Sequence, residues 1–130
     1  MPKDQYLIIL YCRDQQISRD FYSIVLDQCA VLDVPGMTEF QLTETVKLGL
    51  MPESGIKKIL EDKTPDPASG NGIPRCELYM YTEHPEEVIE RALRAGAKLI
   101  SEIQPRNWGD SVGYLADPDG HVVAVAVKCT

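Results

Sequence analysis

The sequence predicts an α+β chain of two repeated βαβββ modules, residues 1–51 and 75–130, joined by a connector over 52–74 within one domain. Strand-like and helix-like segments follow in the same order twice, at an offset of about 70 to 76 residues, the signature of an internal repeat. Turn signals such as Pro35-Gly36 and Asp117-Pro118-Asp119-Gly120 fall between the strands of each meander. A chain of 130 residues is also long enough to bury about two-thirds of the surface its unfolded form exposes.

In the first module Tyr6–Cys12 is a β-rich apolar run. Asp14 then stands as a helix N-cap before Ile17, Phe21 and Val25 at helical spacing. Segments from Ala30 to Val34, Met37 to Leu42 and Val46 to Met51 complete a three-stranded meander. The second module opens with the strand-like Arg75–Thr82. Pro85 follows at a first helical position with Glu86 and Glu87 beside it, where a fixed φ and negative charge both suit a helix start. Val88, Ala92 and Ala95 make the apolar stripe, Gly96 ends the helix, and strands are expected from Ala97 to Ile103, Ser111 to Ala116 and His121 to Lys128. The connector is rich in Pro, Gly and Ser and holds a short helix-like stretch, Ile56–Leu60; it reads as a linker or as a flap over a cleft.

Composition narrows the function. A net charge of −7 disfavours nucleic acid, whose binders need a basic patch to displace phosphate counterions, and leaves solubility or attraction of cationic ligands as readings of the acidity. No apolar run nears the roughly 20 residues that span a bilayer, and no signal-peptide pattern opens the chain, so no membrane partner and a cytoplasmic location are expected. Cys12, Cys29, Cys76 and Cys129 show no zinc or redox spacing and read as reduced thiols. There is no phosphate-binding glycine loop and no context that aims His84 or His121 at a nucleophile, so no cofactor is implied.

Three segments carry a family resemblance: Ser18–Leu26 on the first helix, the stretch Arg106-Asn107-Trp108-Gly109, and Gly113–His121 running into the last strand. With the duplication, they make the chain similar to the glyoxalase/bleomycin-resistance/dioxygenase (vicinal oxygen chelate) superfamily. The resemblance implies that the two sheets curl into an open, cup-like barrel, that the protein works as a homodimer, and that metal-dependent relatives place ligands on the first and last strand of each module. Those positions fall here on Leu7, Leu48, Glu77 and Ala124, of which only Glu77 can coordinate a cation. A catalytic metal needs about three protein ligands, so no metal is expected at these positions.

Strand alternation places Glu77, Tyr79 and Tyr81 toward the cup and Cys76, Leu78 and Met80 toward the helix; in the first strand Leu7, Ile9 and Tyr11 face the cup. Glu77 is then the leading functional residue and a candidate base, with a salt bridge to Arg75 or Arg106, or exposure at a strand edge, as its structural alternatives. Tyr79, Tyr81 and Trp108 offer flat faces for a planar or cationic ligand, with core or dimer packing as their alternative role, and Arg106 offers a fork for a ligand carboxylate or phosphate, with a surface ion pair as the favoured reading. The first functional reading is a metal-independent small-molecule binding or sequestering protein. The alternatives are a glyoxalase-like enzyme (lyase, isomerase or dioxygenase relative) with a divergent site, and a non-catalytic dimerisation or docking domain.

Overall fold

The computed structural model describes residues 4–129. Its first module runs β1 (Tyr6–Cys12), α1 (Gln15–Leu26), β2 (Leu32–Val34), β3 (Met37–Gln41) and β4 (Val46–Pro52). Asp14 caps α1 through its carboxylate, which accepts the Ile17 N–H at 3.0 Å. The sheet order is β1-β4-β3-β2, with β1 and β4 parallel and the other neighbours antiparallel. The helix buries Ser18, Phe21, Tyr22 and Val25, an i, i+3, i+4, i+7 stripe. Ile17, expected on that stripe, is 56% exposed because it lies one residue outside it.

Under α1 the sheet presents Leu10, Cys12, Thr38, Phe40, Leu48 and Leu50, all buried. Gln15 fixes the helix start over this face: its amide donates to Thr38 Oγ1 and to the Val34 carbonyl, both at 2.8 Å, and accepts the Gly36 N–H at 2.9 Å. Leu48 was expected beside Leu7 on the face away from the helix. In the structure Leu7 is level with Lys47 and Ile8 with Leu48, so Leu48 points to α1 at 1% exposure. A count that slips by one residue along a strand moves a side chain to the other face. Met37, Leu7 and Ile9 line the far face, where their side chains crowd the Gly49 Cα.

The connector joins this module. β4 leads directly into α2 (Glu53–Leu60), longer than the Ile56–Leu60 stretch expected, and a 3-10 turn follows at Pro67–Gly70 with Asp66 as its cap. Lys57 and Asp66 pair at 3.4 Å between them. One compact unit extends to Asn71, and a second begins at Gly72.

The second unit contains β5 (Glu77–Tyr81), α3 (Pro85–Arg94), β6 (Lys98–Pro105), β7 (Asp110–Ala116) and β8 (Val122–Lys128). Its order, β5-β8-β7-β6 with β5 and β8 parallel, repeats that of the first sheet. α3 ends as the sequence indicates: Gly96 takes φ +106°, and the Ala97 N–H returns to the Ala92 carbonyl at 2.9 Å. Val88 and Ala92 are buried on α3, and Leu115, Val123 and Val125 on the strands. Gly113 lets the helix approach, since a Cβ there would meet Ile89 Cδ1 at 2.6 Å. Asp117 closes the last hairpin by accepting the N–H groups of Asp119 and His121 at 2.8 and 2.9 Å. No helix among the described residues is long and apolar enough to cross a membrane.

The placement of Leu48 has a direct test in urea denaturation. Leu48→Ala is expected to lose about 2 to 5 kcal/mol of stability, the range for a leucine deleted from a closed core. Leu7→Ala, at a position 39% exposed, should lose less than about half of that. Equal losses would mean that Leu48 does not fill the core under α1.

Candidate functional site

The face of the second sheet turned away from α3 gathers polar chemistry around one carboxylate. Along β5, Tyr79 and Tyr81 alternate onto this face, level with Ala124 and Ala126 of β8. Across β8, Val112 and Tyr114 of β7 stand level with Ala126 and Ala124, and Asp110 with Lys128. Val112, Ala124 and Ala126 form a buried apolar floor against which Tyr79 and Tyr114 pack. Such small side chains between aromatic neighbours let the rings lie close to the sheet.

Asp110 is 3% exposed, and one of its oxygens accepts two phenolic O–H groups, from Tyr79 at 2.5 Å and from Tyr81 at 2.9 Å. The Tyr79 oxygen in turn accepts the Trp108 indole N–H at 3.0 Å. Lys128 Nζ lies 4.7 Å from the centre of the Tyr81 ring, and its charge favours the ionised carboxylate. The Tyr79 bond, ahead of those from Tyr81 and the Lys128 charge, holds the Asp110 carboxyl below the ordinary carboxylate range against its desolvation. Desolvation, then the bond to Asp110, pushes the Tyr79 hydroxyl up to about 12. Both groups therefore keep one protonation state near neutral pH.

The turn before β7 supplies the rest. Arg106 N–H bonds the Asp110 carbonyl at 2.7 Å, and Gly109, at φ +98°, closes the turn in a conformation that side chains disfavour. This turn carries Trp108 toward Tyr79 and Arg106 toward Tyr114. The Arg106 guanidinium stacks 5.2 Å from the Tyr114 ring centre, while Nη2 donates to Ser101 Oγ and to the carbonyls of Val112 and Glu102 at 2.9, 2.8 and 3.2 Å. Ser101 lies where β6 shifts register against β7, so Arg106 serves backbone groups that the irregular ladder leaves over. Beside Tyr81, a shallow groove of about 350 Å³ is lined by Tyr81, Thr82, Glu83, Val127 and Lys128.

The structure brings together Tyr79, Tyr81 and Trp108 among the residues expected from sequence, with Ala124 in the floor beneath Tyr79. Arg106 borders the same face, bonded to neutral groups and not to an acid. Glu77 shares the face by alternation but is exposed at the start of β5, an edge strand, and makes no ion pair with Arg75 or Arg106. The carboxylate among the aromatic rings is Asp110, which the sequence reading passed over together with Lys128. Period-two spacing was the available signal: Asp110 precedes Val112 and Tyr114, and Lys128 follows Ala124 and Ala126.

A family model for the glyoxalase-like domain matches residues 5–129, nearly the whole chain. The chain belongs to the glyoxalase-like family. Uncharacterised proteins of Mycobacterium bovis and Mycobacterium tuberculosis are 27% identical to it over 105 residues, 78% of this chain; the match spans 68% and 61% of their respective lengths. The fold is that of a glyoxalase-related enzyme from Fulvimarina pelagi, with TM-score 0.80, 21% identity and coverage of 98% of this chain and 89% of that one. A glyoxalase/bleomycin resistance protein/dioxygenase family enzyme from Burkholderia phytofirmans gives TM-score 0.81 at 16% identity, covering 97% and 99%. These likenesses establish two open βαβββ modules as the α+β architecture.

The superfamily's metal positions do not fit a metal in this glyoxalase-like chain. Leu7 and Ala124 have hydrocarbon side chains, Leu48 points under α1, and Glu77 alone carries a donor. The residue level with Leu7 on β4 is Lys47, which pairs with Glu39 at 3.3 Å. Among the described residues no three His, Cys, Asp or Glu side chains gather.

The shared proton network sets a pH dependence. A carboxyl whose folded pKa lies below its unfolded value contributes stability above the ordinary carboxylate range and loses it as pH falls through the folded value. Tyr79→Phe removes the strongest donor, so the Asp110 midpoint, read from its carboxyl carbon by NMR, should rise, and acid unfolding should begin at higher pH. An unchanged midpoint would show that the phenol does not hold the charge.

Proposed function

We propose that this glyoxalase-like protein binds a planar small molecule on the aromatic face of its second module, without a transition metal. The observation that carries the reading is the exposed pair Tyr81 and Trp108, 54% and 57% accessible, fixed from beneath by the buried Asp110 carboxylate. Large aromatic side chains left in solvent lose little further entropy on binding when hydrogen bonds already hold them, and preorganisation of that kind raises affinity. The groove beside Tyr81 and Lys128 falls within the roughly 300–1,000 Å³ typical of small-molecule sites.

Binding is favoured over turnover by the protonation states. A general acid or base works best with a pKa near the operating pH, whereas Tyr79 is pushed up to about 12 and Asp110 is held ionised with its accepting oxygen already engaged. Three of the four superfamily metal positions offer no donor atom, so Lewis-acid chemistry has no evident seat on them.

The chain has one tryptophan, which makes Trp108 emission a local reporter. A panel of planar heteroaromatic compounds should contain members that change this emission saturably and raise the melting temperature, both effects weakening in Tyr81→Leu, with chelator changing neither. A panel that leaves emission and melting unaltered would refute ligand binding on this face. Ligand binding that chelator abolishes would refute the metal-free reading.

A further inference from the structure

The charge offered to a ligand on this face is decided by which ionic groups are already satisfied. Asp110 is spoken for: it accepts two phenols, and the Lys128 charge acts on it as well. The expectation of a cationic ligand rested on a carboxylate free among the rings, and the carboxylate that is there is not free.

Arg106 is the opposite case. Its side-chain hydrogen bonds all leave from Nη2 and all end on neutral oxygens, those of Ser101, Glu102 and Val112. No carboxylate among the described residues lies within ion-pair distance of it. Its Nε is buried without an acceptor, an orphan donor of the kind that native structures rarely leave unexplained. Half-burying a charge without a counter-charge is unfavourable, and the Tyr114 ring beneath the guanidinium compensates only in part. One residue, Asn107, separates Arg106 from Trp108, so their Cα atoms lie within about 7 Å, the reach of an acid group on a ring stacked at the tryptophan.

We propose that the ligand is a planar organic carboxylate, its ring against Trp108 and Tyr81 and its acid group paired with the Arg106 guanidinium. This rests on the planar-ligand reading above and adds the sign of the charge. The chain's acidity does not oppose it, because exposed charges act over a screening length of only about 8 Å at physiological salt. Glu77 and Glu83, exposed at the two ends of β5, flank the face and would disfavour an anion only where it approached them directly.

Calorimetric titration of the full chain with three probes of one shape separates the possibilities: 2-naphthoate, the neutral 2-naphthalenemethanol and 2-naphthylmethylammonium. The naphthoate should bind roughly 10-fold or more tighter than the alcohol, the scale of one charge-assisted hydrogen bond, and the ammonium weakest. Added salt should erode the naphthoate advantage and leave the alcohol unaffected. Arg106→Gln should bring naphthoate down to the level of the alcohol, whose own binding then certifies that the face is intact. If that variant unfolds, the ranking and salt dependence of the native chain still decide. Equal affinities, or a preference for the ammonium, would overturn the carboxylate assignment and leave planar binding standing. Failure of all three probes to bind would overturn the planar-ligand reading itself.

Discussion

An ionised carboxylate that is 3% exposed has to be compensated by donors or cations, and the second module is arranged to do this for Asp110. Tyr79 and Tyr81 reach it because alternation sets both on one side of β5. Lys128 adds its charge from over the Tyr81 ring, because β8 runs antiparallel to β7 with Lys128 level with Asp110. Trp108 is then tied to Tyr79, so the one carboxylate orders three aromatic side chains, two of them largely in solvent. A network in which each member's proton is committed polarises its neighbours and resists rearrangement. The same commitment that makes the face rigid makes it a poor source of acid or base.

The duplication repeats a scaffold and not a site. Both modules have the strand order that lays the first strand parallel to the last and puts one helix on one face. In the first module the face away from the helix carries Leu7, Ile9 and Met37 around Gly49, with a Lys47–Glu39 pair alongside. In the second, the corresponding side carries tyrosines, Asp110 and Arg106. Alternation is what allows this divergence, because residues on one face can change while the helix-facing set keeps the core.

That also explains what the sequence revealed. The repeat, the helix caps at Asp14 and Pro85, the Gly96 stop and the Asp117–Gly120 turn are local signals, each with a mechanism confined to a few residues, and they place the elements to within about two residues. Among the aromatic members of the face, Tyr79 and Tyr81 were legible because bulky residues stand out against a period of two, and Trp108 because it lies in the family-like stretch Arg106–Gly109. Leu48 was misplaced because a slip of one residue along a strand exchanges its two faces, and nothing local betrays it. Asp110 was missed because, although period two sets it on one face with Val112 and Tyr114, the groups that give it its role, Tyr79, Tyr81 and Lys128, lie on other strands far from it in sequence. Glu77 drew attention as the acid within an aromatic strand, yet its place at the end of an edge strand leaves it in solvent.

The organising role of Asp110 is open to one direct measurement, nitrogen-15 relaxation of the Trp108 indole, which gives a single resonance because the chain has one tryptophan. In the native chain the indole should be as ordered as the backbone of β7, despite its exposure. In Asp110→Ala, with the tyrosine hydroxyls released, it should become mobile on the nanosecond scale while the backbone of β7 keeps its order. An indole equally rigid in both proteins would contradict the account, since Trp108 would then be held by something other than the network built on this carboxylate.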